Sequence, residues 1–168
     1  IKNIFVQIEL SKKTDETLTQ LSNELNEEFD GYFNIKKVLI NNVKKFIPAY
    51  HSYLKILKKT KPKKIYLVIS YGRGELIKAA KDLGIEVIEL QHGTFSKYHL
   101  GYSFPKKVNT QYFPDKFYVW TDYWKNLINL PIQLEKVIIS PFQYLEIEKK
   151  KYTHIKTFES RLECETYR

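Results

Sequence analysis

The chain is predicted to fold as an α/β domain built on a Rossmann-like parallel sheet with flanking helices. Short, almost wholly apolar runs at 65–70, 85–90, 117–120 and 136–139 read as buried strands. Segments of helical period stand between them, at 74–83 and 122–128. Alternation of the two patterns is that of a parallel sheet with helices over both faces. At 168 residues there is enough chain to bury a core in one domain.

Taken in order, Ile1-Lys2-Asn3-Ile4-Phe5-Val6 is an apparent strand. Thr14 or Asp15 caps a first helix whose face is lined by Leu18, Leu21, Leu25 and Phe29, and Gly31 ends it. A second helix spans 35–59 on a stripe of Ile35, Val38, Leu39, Val43, Phe46, Ile47, Tyr50, Tyr53, Leu54 and Leu57. Pro48 is expected to kink or split it, and Lys61-Pro62 to stop it. The strand at 65–70 leads into the helix at 74–83, with Gly84 as its carboxyl cap, and then into the strand at 85–90. A long loop over 93–114 carries Phe95, Tyr98, Tyr102, Phe104, Tyr112 and Phe113, a composition that suits order and packing over the sheet edge. Beyond Tyr144 the pattern fades, and 146–168 reads as a charged helix or a linker. Residues 1–152 form the predicted domain, and 153–168 a tail or the start of an interdomain linker.

Composition narrows the function classes. Hydrophobic residues at 43% beside 28% charged exclude a disordered chain. Apolar runs never exceed four or five residues, which excludes a membrane-spanning helix, and no signal peptide is read at the amino end. The single Cys164 excludes an intrachain disulfide and a cysteine zinc site, and it fits a reducing, cytoplasmic setting. The absence of methionine, position 1 included, implies either a removed initiator or a piece of something longer, and opening directly on an apparent strand favours the second. The net charge of +9 comes from lysine, since only Arg73, Arg161 and Arg168 among 28 basic residues are arginine. Such a surface attracts nucleic acid, anionic headgroups or phosphorylated substrates. Scarce arginine and the lack of a recognised motif argue against nucleic acid. Two readings of the lysine-rich 36–64 stay open: a solvated helix face, or peripheral contact with an anionic membrane at its inner face.

Two turns carry residues suited to chemistry. Ser70-Tyr71-Gly72-Arg73-Gly74 joins a strand to a helix, where Gly72 and Gly74 allow close backbone approach. Arg73 and the helix amino end would favour an anion there, although a tight structural turn would use the same residues. The segment is neither G-x-G-x-x-G nor a P-loop. Gln91-His92-Gly93-Thr94 ends the next strand at the carboxyl edge, where ligands bind in open α/β sheets. His92 is suited by its unperturbed pKa, about 6.5, to take a proton from a hydroxyl, or else it is a corner histidine satisfied by backbone. His99 and Tyr102 follow in the same loop. His92 and His99, seven apart with few nearby carboxylates, do not make a zinc site, and no cofactor is expected. His51 and His154 read as structural or solvent-facing.

Together these segments resemble bacterial GT-B glycosyltransferases of surface (capsular or lipopolysaccharide) polysaccharide synthesis. The resemblance runs over about 61–152. It rests on Ser70-Tyr71-Gly72-Arg73, Leu76-Ile77-Lys78-Ala79-Ala80, Glu89-Leu90-Gln91-His92-Gly93, His99-Leu100-Gly101-Tyr102 and Pro114-Asp115-Lys116-Phe117-Tyr118-Val119-Trp120-Thr121-Asp122-Tyr123-Trp124-Lys125. Thr121 and, in the later Lys136-Val137-Ile138-Ile139-Ser140-Pro141 segment, Ser140 stand where such proteins commonly carry glycine. A looser likeness links Gln91-His92-Gly93-Thr94-Phe95-Ser96-Lys97 to the W-H-G-T-P-L-K segment of CDP-glycerol glycerophosphotransferases.

The resemblance implies the acceptor-side, amino-terminal half of a two-domain enzyme. His92 is then the catalytic base, and His99 and Arg73 help hold an acceptor or phosphate. Gly72, Gly74, Gln91, Gly93, Thr94 and Tyr102 complete the expected substrate-binding set. The implied partners are a nucleotide-sugar donor, whose site this sequence does not contain, and a glycan or lipid-linked acceptor. The alternatives are a truncated, non-catalytic glycan- or membrane-binding module and a polyol-phosphate transferase half.

Overall fold

The computed structural model describes residues 7–104, 106, 108 and 110–151. The strand expected at 1–6 and the tail at 153–168, with His154, lie outside the described residues.

Two helices open the fold. Helix α1 (Lys12–Phe29) is capped by Ser11 rather than by Thr14 or Asp15. The Ser11 hydroxyl accepts the Thr14 N–H at 3.2 Å, which leaves Asp15 in the first turn, where a carboxylate suits the positive end of the dipole. The turn out falls on Asp30, one residue before Gly31, with φ at 45° and its N–H returned to the Asn26 carbonyl. Helix α2 (Ile35–Thr60) runs 26 residues through Pro48 without splitting. Proline lacks one N–H, and the bonds either side carry the helix across that gap. Lys61 ends it in a left-handed turn.

Four strands follow: β1 (Lys64–Leu67), β2 (Glu86–Leu90), β3 (Lys116–Val119) and β4 (Val137–Ile139). They form one sheet, all parallel, in the order β1-β2-β3-β4. Helix α3 (Gly74–Asp82) joins β1 to β2, α4 (Asp122–Leu127) joins β3 to β4, and α5 (Gln143–Lys151) follows the sheet. This is the Rossmann-like α/β architecture expected.

Among the described residues the helices α3 and α4 cover one face of the sheet, although Ile88 on the other face is fully buried. The registers Ile65↔Val87, Leu67↔Glu89↔Phe117 and Phe117↔Val137 place these side chains on a common face. Both buried clusters sit there. Leu57, Ile77, Ala79, Ala80, Ile85 and Val87 form one, and Phe95, Tyr102, Phe117, Val119 and Val137 the other, with Trp124 and Leu127 of α4 against it. Strands laid down in chain order never reverse direction across the sheet, so right-handed crossovers deliver α3 and α4 to the same side. The opposite face keeps Tyr66 more than half exposed, and β1 is four residues of alternating exposure instead of six buried ones. Glu86 on that face joins Lys64 at 3.0 Å and Lys116 at 2.6 Å. Hydrogen bonds from Lys116 first, then Lys64, hold its carboxyl below the usual range.

Helix α2 packs on α3 rather than on the sheet. Its carboxyl half supplies Tyr50, Tyr53, Leu54 and Leu57 to the core, and the Tyr50 hydroxyl donates to Asp82 at 2.6 Å. Val38 and Leu39, expected on the buried stripe, are exposed: the first turns of α2 pack on α1, which itself buries no residue, and Phe46 further along reaches Tyr112. No helix among the described residues is long and apolar enough to cross a membrane.

At the amino edge of the sheet the Pro114-Asp115 pair has a structural task. Asp115 Oδ2 accepts the N–H of fully buried Val87 at 2.9 Å, its own N–H donates to the Val87 carbonyl, and Oδ1 meets Lys81 at 3.1 Å. Asp115→Ala strands the buried Val87 amide and is expected to lower stability by about 1–3 kcal/mol in urea unfolding, with Asp115→Asn closer to the parent.

Candidate functional site

Three segments converge on the carboxyl edge of the sheet: the turn after β1, the end of β2, and the first part of the long loop before β3. At the turn, Ser70 is buried, the Arg73 N–H returns to the Ser70 carbonyl at 2.9 Å, and Gly72 takes φ 76°, a conformation that glycine adopts without strain. Arg73 caps α3 without a side-chain bond to the helix, so its guanidinium is exposed beside the helix amino end. Glu75 in the first turn already complements part of that dipole.

The end of β2 divides its residues between structure and solvent. Gln91 is buried and fully committed: its N–H donates to the Tyr118 carbonyl, its Oε1 accepts the Trp120 N–H at 2.9 Å, and its Nε2 donates to the Gly93 carbonyl at 3.0 Å. It splices β2 to β3 and shapes the next turn. His92 and Thr94 are exposed, and Gly93 is partly so. Among the described residues the His92 ring makes no hydrogen bond, and it favours the ionised form of Glu89.

In the long loop Phe95 and Tyr102 are buried in an aromatic cluster and Phe113 is buried as well, as expected, whereas Tyr98 and Tyr112 are exposed. Tyr102 stacks on Phe117 at 5.3 Å and on His99 at 4.7 Å, and Tyr71 leans on both Tyr102 and His99. The Gly101 N–H donates to His99 Nδ1 at 3.1 Å, so the neutral imidazole carries its proton on Nε2. A Cβ at Gly101 would lie 2.7 Å from the Tyr71 ring, which is why a glycine sits there.

The sheet edge thus gathers Tyr71, Gly72, Arg73, Gly74, His92, Gly93, Thr94 and His99 around an exposed rim. Tyr102 and Gln91 sit beneath it, turned to the protein rather than to solvent. No group of three His, Cys, Asp or Glu side chains among the described residues is placed to hold a metal ion. A separate cleft of about 820 Å³, lined by Phe104, Lys106, Asn129, Ile132 and Leu134 among others, opens where the loop runs back toward the amino edge.

Glu89 is the residue that sequence reasoning missed. It is fully buried, and its Oε1 accepts both the Ser70 N–H at 3.1 Å and the Tyr102 hydroxyl at 2.6 Å. Burial pushes its carboxyl pKa up, against the Ser70 hydroxyl, the Tyr102 hydroxyl, the Ser70 N–H and His92. Burial, and then the Glu89 bond, push the Tyr102 hydroxyl far up as well. Strand parity held the signal, since Glu89 shares the core-facing row with Val87 while Glu86 does not.

Comparison with protein-family models, with curated proteins and with solved structures gives no match for this chain. The reading of the site therefore rests on its own geometry and on the motifs.

Gln91→Ala strands the Trp120 N–H and the Gly93 carbonyl. It is expected to lower stability by about 1–3 kcal/mol by chemical unfolding. A Gln91→Ala protein of unchanged stability would move Gln91 from the framework to the ligand-facing rim.

Proposed function

We propose that this domain is the acceptor-side half of a glycosyltransferase that moves a sugar from a nucleotide-sugar onto a bacterial surface glycan or its lipid-linked precursor. The supporting observation is His92, an exposed imidazole at the carboxyl end of the central strand, free of hydrogen bonds among the described residues and flanked by the Arg73 turn. A free ring at that edge can take the acceptor hydroxyl's proton as the oxygen attacks the anomeric carbon. Arg73, with the uncapped amino end of α3, favours an anionic group of acceptor or donor. His99, held by Gly101 and the tyrosines, presents a second ring to the same rim. Residues 7–151 supply one sheet, so the nucleotide-sugar would be held by a second domain.

A polyol-phosphate transferase half would use His92 in the same way. The Gln91-His92-Gly93-Thr94 segment favours keeping it as the second reading, and the donor separates the two. In the full-length native protein, His92→Ala is expected to lower turnover by roughly 10²- to 10⁴-fold, read as nucleotide release from the donor, with the unfolding midpoint unchanged because the ring is exposed. Turnover kept by His92→Ala removes the residue from the mechanism. No turnover with any nucleotide-linked donor in the parent protein favours a non-catalytic binding module.

The lysine surplus fits the same location. Lys37, Lys44, Lys55, Lys58 and Lys59 are all exposed, and at about 100° per residue they share one side of α2, opposite Phe46, Tyr53 and Leu57. Such a stripe suits an anionic membrane carrying a lipid-linked acceptor. Co-sedimentation with phosphatidylserine vesicles, lost in high salt and weakened when Lys44, Lys55, Lys58 and Lys59 become serine, is the expected result. Equal binding to neutral vesicles would return α2 to a solvated face.

A further inference from the structure

The rim of the site is carried by two segments far apart in sequence, and one buried carboxyl touches both. Glu89 Oε1 accepts the Ser70 N–H, and Ser70 in turn closes the turn that presents Arg73. The same oxygen accepts the Tyr102 hydroxyl, and the Tyr102 ring is the platform on which His99 is stacked. Among the described residues Glu89 Oε2 has no hydrogen-bond partner, although the side chain has no exposed surface. Loss of a carboxyl at this depth would release two donors in two different loops at once.

We infer that Glu89 is the positioning residue of this rim, a single buried carboxyl that holds the Arg73 turn and the His99 loop in fixed relation to each other. The inference deepens the acceptor-site reading and rests on it for its significance, but not for its test. Glu89 touches no substrate in this role and acts through Ser70 and Tyr102. With both donors on Oε1, a proton on the carboxyl sits on Oε2. The groups facing it are Ser70 from the β1 turn, Tyr102 from the loop, and His92 at the end of its own strand. Tyr71 and His99 lie beyond the Tyr102 ring, and Lys78 and Lys81 of α3 are engaged by Asp82 and Asp115. Because burial raises its pKa, the folded state holds the Glu89 proton more tightly than the unfolded chain. That contribution to stability is complete below the unfolded value of about 4.3 and fades as pH rises through the raised value.

Amide hydrogen exchange on this chain, without donor or acceptor, tests the inference whatever the activity of the intact protein. Glu89→Ala is expected to speed exchange at Ser70 and Arg73 and at His99 and Tyr102 together, by roughly tenfold or more, with Ile77 and Val119 unchanged. Tyr102→Phe should release only the His99 and Tyr102 amides. Glu89→Gln, whose amide oxygen can accept the same two bonds, should keep all four slow. Its melting temperature should also rise relative to the parent as pH climbs from about 4 to 8. Either loop unchanged in Glu89→Ala, a Tyr102→Phe protein that exchanges like the parent, both loops released in Glu89→Gln, or a pH-independent difference in melting temperature would overturn the inference. Should Glu89→Ala fail to fold, the other two variants decide it.

Discussion

The rest of the structure depends on satisfying the polar groups of one buried parallel strand. Strand β2 lies between β1 and β3 and under α3, so any backbone or side-chain polar atom on it that lacks a partner is costly. Each critical group is met from a different part of the chain. Asp115, ahead of β3, takes the Val87 amide, and the Gln91 side chain takes the Trp120 amide at the other end of the same pair of strands. Glu89 between them takes Ser70 and Tyr102. At the carboxyl end, the Gln91 and Glu89 bonds that pin the strand also build the edge.

This explains why the framework was legible in the sequence and the division of labour at the edge was not. Apolar runs and helical spacing are written in side-chain type, and they located all four strands and α1 to α4 to within two or three residues. The errors came where a boundary turns on one hydrogen bond. Ser11 outcompetes Thr14 for the first cap because its hydroxyl faces the orphan amides, and β1 stops at Leu67 because Val68 and Ile69 leave the ladder before the buried turn at Ser70. Which face the crossover helices cover is a matter of topology that periodicity does not carry, since hydrophobic runs give strands but not their order across the sheet.

At the site, residue type named the cast and geometry assigned the parts. Glycine, arginine and histidine after two successive strands all fall at the carboxyl edge of the sheet. Gln91 and Tyr102 looked as available to a ligand as His92, yet both are turned inward, because a buried amide or phenol next to unpaired backbone or carboxyl is drawn to it. Glu89 looked like one of two equivalent glutamates in Glu86-Val87-Ile88-Glu89. Three residues along a strand reverse the face, so one is neutralised by Lys64 and Lys116 near solvent while the other is stripped of water.

The strand order also decides where concavity must come from. In doubly wound sheets a reversal of order opens a crevice between two crossovers, and ligands settle into it. The described sheet runs β1 to β4 without a reversal and so offers no such crevice of its own. A ligand at this edge must instead be enclosed by loops, and those available are the Arg73 turn and the aromatic loop through His99 and Tyr102. Two loops joined only through exposed rings would hold a ligand loosely. Loops joined through a buried carboxyl, with Tyr102 clamped between Phe117 and His99, can hold reacting groups in a fixed relation without a pre-cut pocket. Missing curvature in the sheet is thereby made up by a polar bond beneath the rim, supplied by the carboxyl in the core-facing row of β2.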